Sequence, residues 1–212
     1  MSFELKPLTI TLPMGHRDKD GALHTAVTFG RMITGRDLFT IDSDPQSQLQ
    51  TQYDDLVLRT AITGFGTLKM PIGLNVLLGL DSIDREDLSD GFNNFSKANR
   101  DGAEAQIIDD RVLKLGFGYE SNGLVYDRVE FGRRLTGMDQ VEADKRKLDG
   151  IRRVCFLAGR QIVKLSQSDG ASELTGPVEL DVFEKLFASD IQSIRVASEV
   201  YRQSFRRPGA RV

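Results

Sequence analysis

The stretch Val27-Thr-Phe-Gly-Arg-Met-Ile-Thr-Gly-Arg-Asp37 recurs in the same chain as Val129-Glu-Phe-Gly-Arg-Arg-Leu-Thr-Gly-Met-Asp139. Seven of the eleven positions are identical at a spacing of 102 residues, and Ile33 and Leu135 form a conservative pair. Such a dense match is improbable by chance in a chain of 212 residues. The repeat therefore predicts an internal duplication of a unit of about 100 residues, which is a typical domain size.

Each copy of the motif follows a pattern typical of a β-hairpin. Asp20-Gly21 precedes the first copy and Asn122-Gly123 precedes the second. Such dipeptides favour the type I′ turn, whose two central residues both need a positive φ. With the alternating apolar residues around them, they predict strands at residues 8–12 and 23–29, and again at 112–119 and 124–131.

Helical spacing follows each hairpin. Thr34 and Thr136 stand three residues before an aspartate, which is the capping-box pattern of a helix start. Apolar residues then recur every three or four positions, at Leu49, Tyr53, Leu56 and Ala61 in the first copy and at Leu148, Ile151, Cys155, Ala158, Ile162 and Leu165 in the second. We expect an α+β fold with two similar halves, 1–100 and 101–212, each a β-hairpin followed by about three helices.

The match between the copies resumes further along at a spacing of 106 residues. Leu74, Leu80, Asp84 and Leu88 align there with Leu180, Leu186, Asp190 and Ile194. The increase from 102 to 106 is consistent with a longer Ser/Gly-rich loop at 166–172 in the second copy, because loops tolerate insertions. The polar segment 99–110 is the expected linker between the halves.

Composition excludes several classes of protein. The net charge is −3 with 28% charged residues, so no global attraction to nucleic acid or an anionic membrane is expected. No apolar run is long enough for a membrane span, and the first residues lack the pattern of a signal peptide. The single cysteine, Cys155, suits a reducing compartment. We expect a cytoplasmic protein without membrane contact.

Residues that could support catalysis are few. His16 and His24 are interpreted as ordinary surface histidines rather than metal ligands, and Cys155 as a small core residue rather than a nucleophile. Asp81, Asp84, Asp87 and Asp90 fit a helix start, with Asp84 as N-cap, better than a metal site. Gly64-Phe-Gly66 is expected to end a helix, and Gly116-Phe-Gly118 to mark a strand bulge. The sequence thus predicts no enzyme, no metal site and no cofactor.

The arginine-rich segment 201–212 leaves two interpretations open. It carries no acidic residue and contains Arg202, Arg206, Arg207 and Arg211. A solvated tail is the favoured interpretation, and contact with an acidic partner or a phosphate backbone is the alternative.

The order of these motifs resembles the tail assembly chaperones of Mu-like and P2-like tailed phages. The residues that carry the resemblance in the first copy are Val27, Phe29, Arg31, Thr34, Asp37, Leu38, the segment 58–64, Leu77, Leu80, Asp84, Asp87, Leu88 and Phe95. The chain departs from that family in being duplicated. Baseplate hub assembly proteins of T4-like phages are similar to it in length and are plausible relatives.

The resemblance implies a non-enzymatic helper that binds the tape-measure protein, or another tail or baseplate protein, in the host cytoplasm. The duplicated motif is then the expected partner-binding surface, with Phe29, Arg31, Arg36, Phe131, Arg133 and Arg134 as its candidate residues. Plain core packing is the competing interpretation of the two phenylalanines. The alternative function is a structural subunit that stays in the tail or baseplate of the virion, and an unrecognised enzyme is the third.

Overall fold

A computed structural model describes residues 4–205 as a mixed α/β protein with eight α-helices and two antiparallel sheets. The helices are α1 (Gly35–Asp42), α2 (Gln50–Ala61), α3 (Leu74–Leu78), α4 (Ser82–Arg100), α5 (Gly137–Lys145), α6 (Gly150–Gln161), α7 (Leu180–Lys185) and α8 (Ala188–Ser204). The strands are β1 (Leu8–Arg17), β2 (Leu23–Phe29), β3 (Ile62–Phe65), β4 (Gln106–Ile107), β5 (Val112–Ser121), β6 (Leu124–Phe131), β7 (Ile162–Ser166) and β8 (Glu173–Thr175).

The chain forms two compact units. The first contains residues 1–33 and 40–101, and the second contains residues 34–39 and 102–212. The expected halves, 1–100 and 101–212, differ from these units chiefly in the segment 34–39. The expected linker is not free of structure, because α4 continues to Arg100 and β4 lies within the segment 99–110.

The sheet of the first unit has the strand order β1-β2-β3. The hairpin of β1 and β2 pairs Leu8 with Phe29, and its register shifts between Thr11 and His16. The third strand, β3, was not expected, and it pairs with β2 through Val27 and Phe65. Gly64 lies inside this strand, so the predicted helix end at Gly64-Phe-Gly66 is wrong.

The sheet of the second unit has the strand order β4-β5-β6-β7-β8. The hairpin of β5 and β6 turns at Asn122 and Gly123, whose φ angles of 52° and 76° confirm the type I′ prediction. A register shift between Lys114 and Tyr119 confirms the predicted bulge at Gly116-Phe-Gly118. β7 occupies the position on β6 that β3 occupies on β2 in the first unit.

The turn of the first hairpin differs from the prediction. The strands end at Arg17 and Leu23, so five residues connect them instead of two. The side chain of Asp18 accepts hydrogen bonds from the backbone NH groups of Asp20 and Ala22, at 3.0 and 2.9 Å. An aspartate that binds its own loop in this way closes a wider turn than Asp-Gly alone would.

Both predicted capping boxes are confirmed. The carboxylate of Asp37 accepts hydrogen bonds from the backbone NH and hydroxyl of Thr34, at 2.9 and 2.8 Å. Asp139 makes the same two bonds with Thr136, at 2.7 and 2.9 Å. These bonds satisfy donors at the first turns of α1 and α5 and fix where each helix begins.

Each unit has its own apolar core. In the first, Phe29 stacks on Phe95 with ring centroids 6.1 Å apart. In the second, Phe131 stacks on Tyr201 at 5.8 Å, and both are buried. Cys155 belongs to this second core, which confirms its interpretation as a buried apolar residue.

No helix within residues 4–205 is long and apolar enough to cross a membrane. Of the arginine-rich segment, Arg202 lies on α8. The positions of Arg206, Arg207 and Arg211 fall outside the described residues.

Candidate functional site: an apolar groove on the second unit

Helices α6 and α8 of the second unit enclose a groove of about 530 Å³. From α6 it is lined by Val154, Leu157, Ala158 and Gln161, whose spacing of three and four residues places them on one helical face. The rest of the lining comes from Leu135 and from one side of α8, namely Arg195, Val196, Ser198, Glu199, Val200, Arg202 and Gln203.

Apolar side chains of this groove are open to solvent. Val154, on the α6 side of the groove, is 37% exposed, and Val196, on the α8 side, is 44% exposed. An adjoining face of α6 carries the core through Cys155, and the far side of α8 carries it through Ile194 and Tyr201. Both helices therefore carry exposed apolar side chains in addition to those that pack in the core. Exposed apolar surface of this kind marks interaction sites.

Charged side chains form the rim of the groove along α8. Arg202 lies 3.1 Å from the carboxylate of Glu199, and Gln203 donates a hydrogen bond to the same carboxylate at 3.3 Å. Both partners of the ion pair are about half exposed, so this pair contributes little to stability. Its members can exchange partners at low cost when another charged group approaches.

Gln161 lies at the floor of the groove and also lines a neighbouring cavity of about 350 Å³. It is 1% exposed, and its side-chain NH₂ donates to the hydroxyl of Ser198 at 2.6 Å. The Oε1 atom has no hydrogen-bond partner among the described residues.

No protein-family model, curated protein or solved structure matches the chain. The functional interpretation therefore depends on the geometry and chemistry of the described residues. Among those residues, no group of three or more His, Cys, Asp or Glu side chains could hold a metal ion.

The six expected partner-binding residues are divided between the two units. Phe29 and Phe131 fill the cores of the two units and are fully buried, so neither is available to a partner. The sequence could not separate these roles, because an aromatic residue at a strand end suits a core and a docking surface equally well.

The four arginines occupy separate places. Arg31 lines a cleft of the first unit, and Arg36 lies 3.4 Å from Glu184. Arg133 donates to Asp139 at 2.8 Å and to the carbonyl of Arg160 at 3.0 Å, so its bonds hold the start of α5. The guanidinium of Arg134 stacks over the ring of Phe205, with 3.9 Å to the ring centroid.

Two buried aspartates have a role that the sequence did not indicate. Asp84 was expected to cap a helix, but the N-cap of α4 is Asp81. Asp84 accepts hydrogen bonds from the backbone NH groups of Met14 and Gly15, at 3.0 and 2.8 Å. The corresponding Asp190 accepts three, from the bulge residues Gly116, Phe117 and Gly118 at 2.8 to 3.1 Å.

The balance of effects on Asp190 favours a structural role. Burial raises the pKa of its carboxyl group above the ordinary value, and the hydrogen bonds from the three backbone NH groups oppose that rise. Every described donor around it belongs to the backbone of β5. The carboxylate therefore fixes the bulge against α8.

The interpretation of His24 as a surface residue is wrong. Its ring is buried, its Nε2 lies 3.0 Å from the carboxylate of Asp18, and its Nδ1 accepts from the NH of Thr67 at 3.3 Å. The hydrogen bond from His24 lowers the pKa of the Asp18 carboxyl. His16 is opposite His24 in the strand register and is only partly buried.

Proposed function

We propose that this protein is a non-enzymatic assembly chaperone of a tailed phage, and that it holds a helical segment of the tape-measure protein in the groove between α6 and α8. The observation that carries this proposal is an apolar groove left open on a folded unit. The resemblance of the repeated motif to tail assembly chaperones supports the identity of the partner. A tape-measure protein presents long apolar helical stripes before the tail is built, and such stripes need covering.

The chemistry of the groove suits one face of an amphipathic helix. Helix-in-groove recognition places apolar side chains at positions i, i+3 or i+4, and i+7 into a cleft lined by apolar residues. Val154, Leu157 and Val196 supply such a lining. Arg195 and Arg202 on the rim favour a partner helix with acidic residues beside its apolar stripe.

The two units are, in this proposal, copies of one module. In both units, a third strand pairs with the second strand of the hairpin. A long helix follows, and its buried aspartate, Asp84 or Asp190, accepts hydrogen bonds from the first strand of the hairpin. Both also start a helix with a Thr/Asp capping box directly after the hairpin. The cleft between α2 and α4 in the first unit differs from the groove of the second, because it measures about 120 Å³ and has the ion pair of Asp55 with Arg85 in its lining.

Binding of tape-measure fragments tests the function. Overlapping helical fragments of the tape-measure protein from the same phage genome should include one that co-purifies with the full chain. Val154→Asp and Val196→Asp should each weaken that binding by at least about tenfold, because each places a charge in the apolar lining. Leu174→Asp is the matched control, since Leu174 is equally exposed but lies on β8.

Two results would overturn the proposal. One is that no fragment binds, or that the groove variants bind as the unchanged chain does. The other is mass spectrometry of finished particles that finds this chain at a stoichiometric copy number, which would make it a structural subunit of the tail or baseplate.

A further inference from the structure

Residues 34–39 form a well-defined docking segment within the second unit. The NH of Gly35 donates to the carbonyl of Leu186 at 2.8 Å, and Thr34 forms an antiparallel bridge with Phe187. A Cβ atom on residue 35 would clash with the carbonyl oxygen of Phe183, so only glycine permits this approach. The segment therefore lies with its backbone against the junction of α7 and α8.

Two side chains complete this contact. Phe39 is buried in the core of the second unit. Arg36 lies 3.4 Å from Glu184, on the exposed side of α7. The segment thus combines a glycine contact, an apolar anchor and an ion pair.

The second copy of the motif has the same segment, but its glycine and its apolar side chains are exposed. At the spacing of 102 residues, Gly137 corresponds to Gly35, Met138 to Arg36 and Val141 to Phe39. A Cβ atom on Gly137 would meet nothing within 4 Å among residues 4–205. Met138 is 68% exposed and Val141 is 42% exposed. The glycine therefore has open space beside it, and the apolar side chains of Met138 and Val141 are exposed.

The receiving surface also has a counterpart, in the first unit. At the spacing of 106 residues, the α3–α4 junction corresponds to the α7–α8 junction. Leu78 then corresponds to Glu184, and Leu80 corresponds to Leu186. Leu78 at the end of α3 is 45% exposed, and Ile83 in the first turn of α4 is exposed too. An exposed counterpart of the docking segment and an exposed counterpart of the receiving surface therefore occur in one chain.

The differences between the copies are complementary. The ion pair of Arg36 with Glu184 corresponds to an apolar pair of Met138 with Leu78. Where the docked segment and its receiving surface carry charged residues, the exposed counterparts of both carry apolar residues. An apolar contact would therefore replace the ion pair. A change on one side only would leave an unpaired charge against an apolar surface, which is unfavourable.

From these contacts we infer that the chain assembles head to tail: residues 136–141 of one copy dock onto the α3–α4 junction of a second copy, as residues 34–39 dock onto the α7–α8 junction. This inference rests on the proposed correspondence of the modules and goes beyond the proposed binding of a helix. The two surfaces differ, so the contact is heterologous, and repetition produces a ring or an open filament.

Paired charge variants test the inference on the full chain. Sedimentation velocity over a concentration series should show species larger than one chain for the unchanged protein. Met138→Arg and Leu78→Glu should each reduce the assemblies to single chains, because each variant places a charge against an apolar surface. A mixture of the two variants should restore assembly, since the introduced guanidinium then meets the introduced carboxylate as Arg36 meets Glu184.

Controls separate loss of docking from loss of folding. Met14→Arg and Leu174→Glu introduce the same charges at other exposed apolar positions and should leave assembly unchanged. Gly137→Ala should retain the circular dichroism spectrum and melting temperature of the unchanged chain and yet lose assembly, because its Cβ would clash with the carbonyl of Leu77 in the second copy.

The following results would overturn the inference. One is that the unchanged protein has the mass of a single chain at every concentration. Another is that Met138→Arg or Leu78→Glu alone assembles as the unchanged chain does. The third is that the mixture of these two variants stays dissociated. Met138→Arg should still bind a tape-measure fragment, since the α6–α8 groove does not include residue 138. The proposed helix binding and the inferred assembly can therefore fail independently of each other.

Discussion

At the scale of single residues, Asp84 decides how the first hairpin is held. It is fully buried on α4, and both of its oxygens accept backbone NH groups from the strand residues Met14 and Gly15. Such bonds to a carboxylate are stronger than bonds between neutral groups. The pattern of aspartates in the sequence suggested only a helix cap, because nothing local indicates a contact across about 70 residues.

Asp84→Asn should destabilise the protein by about 1 to 3 kcal/mol. The amide keeps one acceptor, and its NH₂ group then faces a backbone NH that has no acceptor. Chemical denaturation measures the change. Asp90→Asn, on the exposed side of the same helix, should change the free energy of unfolding by less than about 0.5 kcal/mol. Equal effects of the two variants would show that the bonds of Asp84 contribute nothing.

The capping box of α5 should make stability depend on pH through Asp139. Burial would raise the pKa of this carboxyl, but the hydrogen bonds from Arg133 and Thr136 outweigh it and hold the pKa below the ordinary 3.8. The folded state thus binds the proton more weakly than the unfolded chain does. The stabilisation of the folded state by the Asp139 carboxylate is complete above pH 3.8. It is lost as the pH falls through the lower pKa that this carboxyl has in the folded state.

Asp139→Asn should therefore lower the stability by about 1 kcal/mol at pH 7. The difference from the unchanged chain should shrink as the pH falls from 3.8 through the lower pKa of the folded state, because below that pKa the carboxyl is protonated in both states. Thermal melting at a series of pH values measures this. Asp149→Asn is the control, because the Asp149 side chain makes no capping hydrogen bond. A difference that stays constant over the whole series would refute the assignment.

At the scale of elements, the contact between α2 and α4 differs in kind from that between α6 and α8. Asp55 is buried and receives two hydrogen bonds from Arg85, at 2.9 and 3.0 Å. When α2 is aligned with α6 at a spacing of 100 residues and α4 with α8 at 106, the positions of Asp55 and Arg85 fall on Cys155 and Ile191, both in the apolar core of the second unit. The two units therefore hold an ion pair and an apolar pair at these aligned positions.

Arg85→Ile alone should destabilise the chain by about 3 kcal/mol, because it leaves Asp55 buried without its partner. The double variant Asp55→Val/Arg85→Ile should recover most of that loss, because an apolar pair needs no compensating charge. A double-mutant cycle by urea denaturation compares the two. Additive effects would mean that the two side chains are not coupled.

The elements that the sequence predicted best are those with strong local signals. The second strands of both hairpins lie at the expected residues, and the Asn122-Gly123 turn has the expected geometry. The third strands were missed because β3 and β7 are short and directly continue the helical pattern of α2 and α6. Their pairing with β2 and β6 is a tertiary effect that overrides local propensity.

The groove shows a different limit of sequence reasoning. The apolar spacing along α6 was assigned to one core face, and that assignment is correct for Cys155 and Ala158. Val154 and Leu157 lie beside that face and line the groove instead. A helix with a wide apolar face predicts burial, but it does not say whether the same chain or a partner covers each side.

At the scale of the whole molecule, the second unit depends on a segment that lies far from the rest of it in the sequence. Phe39 belongs to the same core as Cys155, although residues 40–101 between them form most of the first unit. The chain therefore cannot be divided at residue 101 without removing an anchor from the second core. Since Cys155 is the single cysteine and is buried, its reaction with a thiol reagent measures how often that core opens.

Phe39→Ala should destabilise the second unit by about 3 kcal/mol or more, the usual cost of removing a buried phenylalanine side chain. Labelling of Cys155 should then accelerate about a hundredfold, because each ~1.4 kcal/mol changes an equilibrium constant about tenfold. Leu56→Ala removes a similarly buried side chain from the first unit and should change this labelling by only a few-fold. Unchanged labelling in Phe39→Ala would show that residues 34–39 are not needed to close the second core. Equal acceleration in both variants would show instead that the two units open together, so that neither core is protected independently of the other.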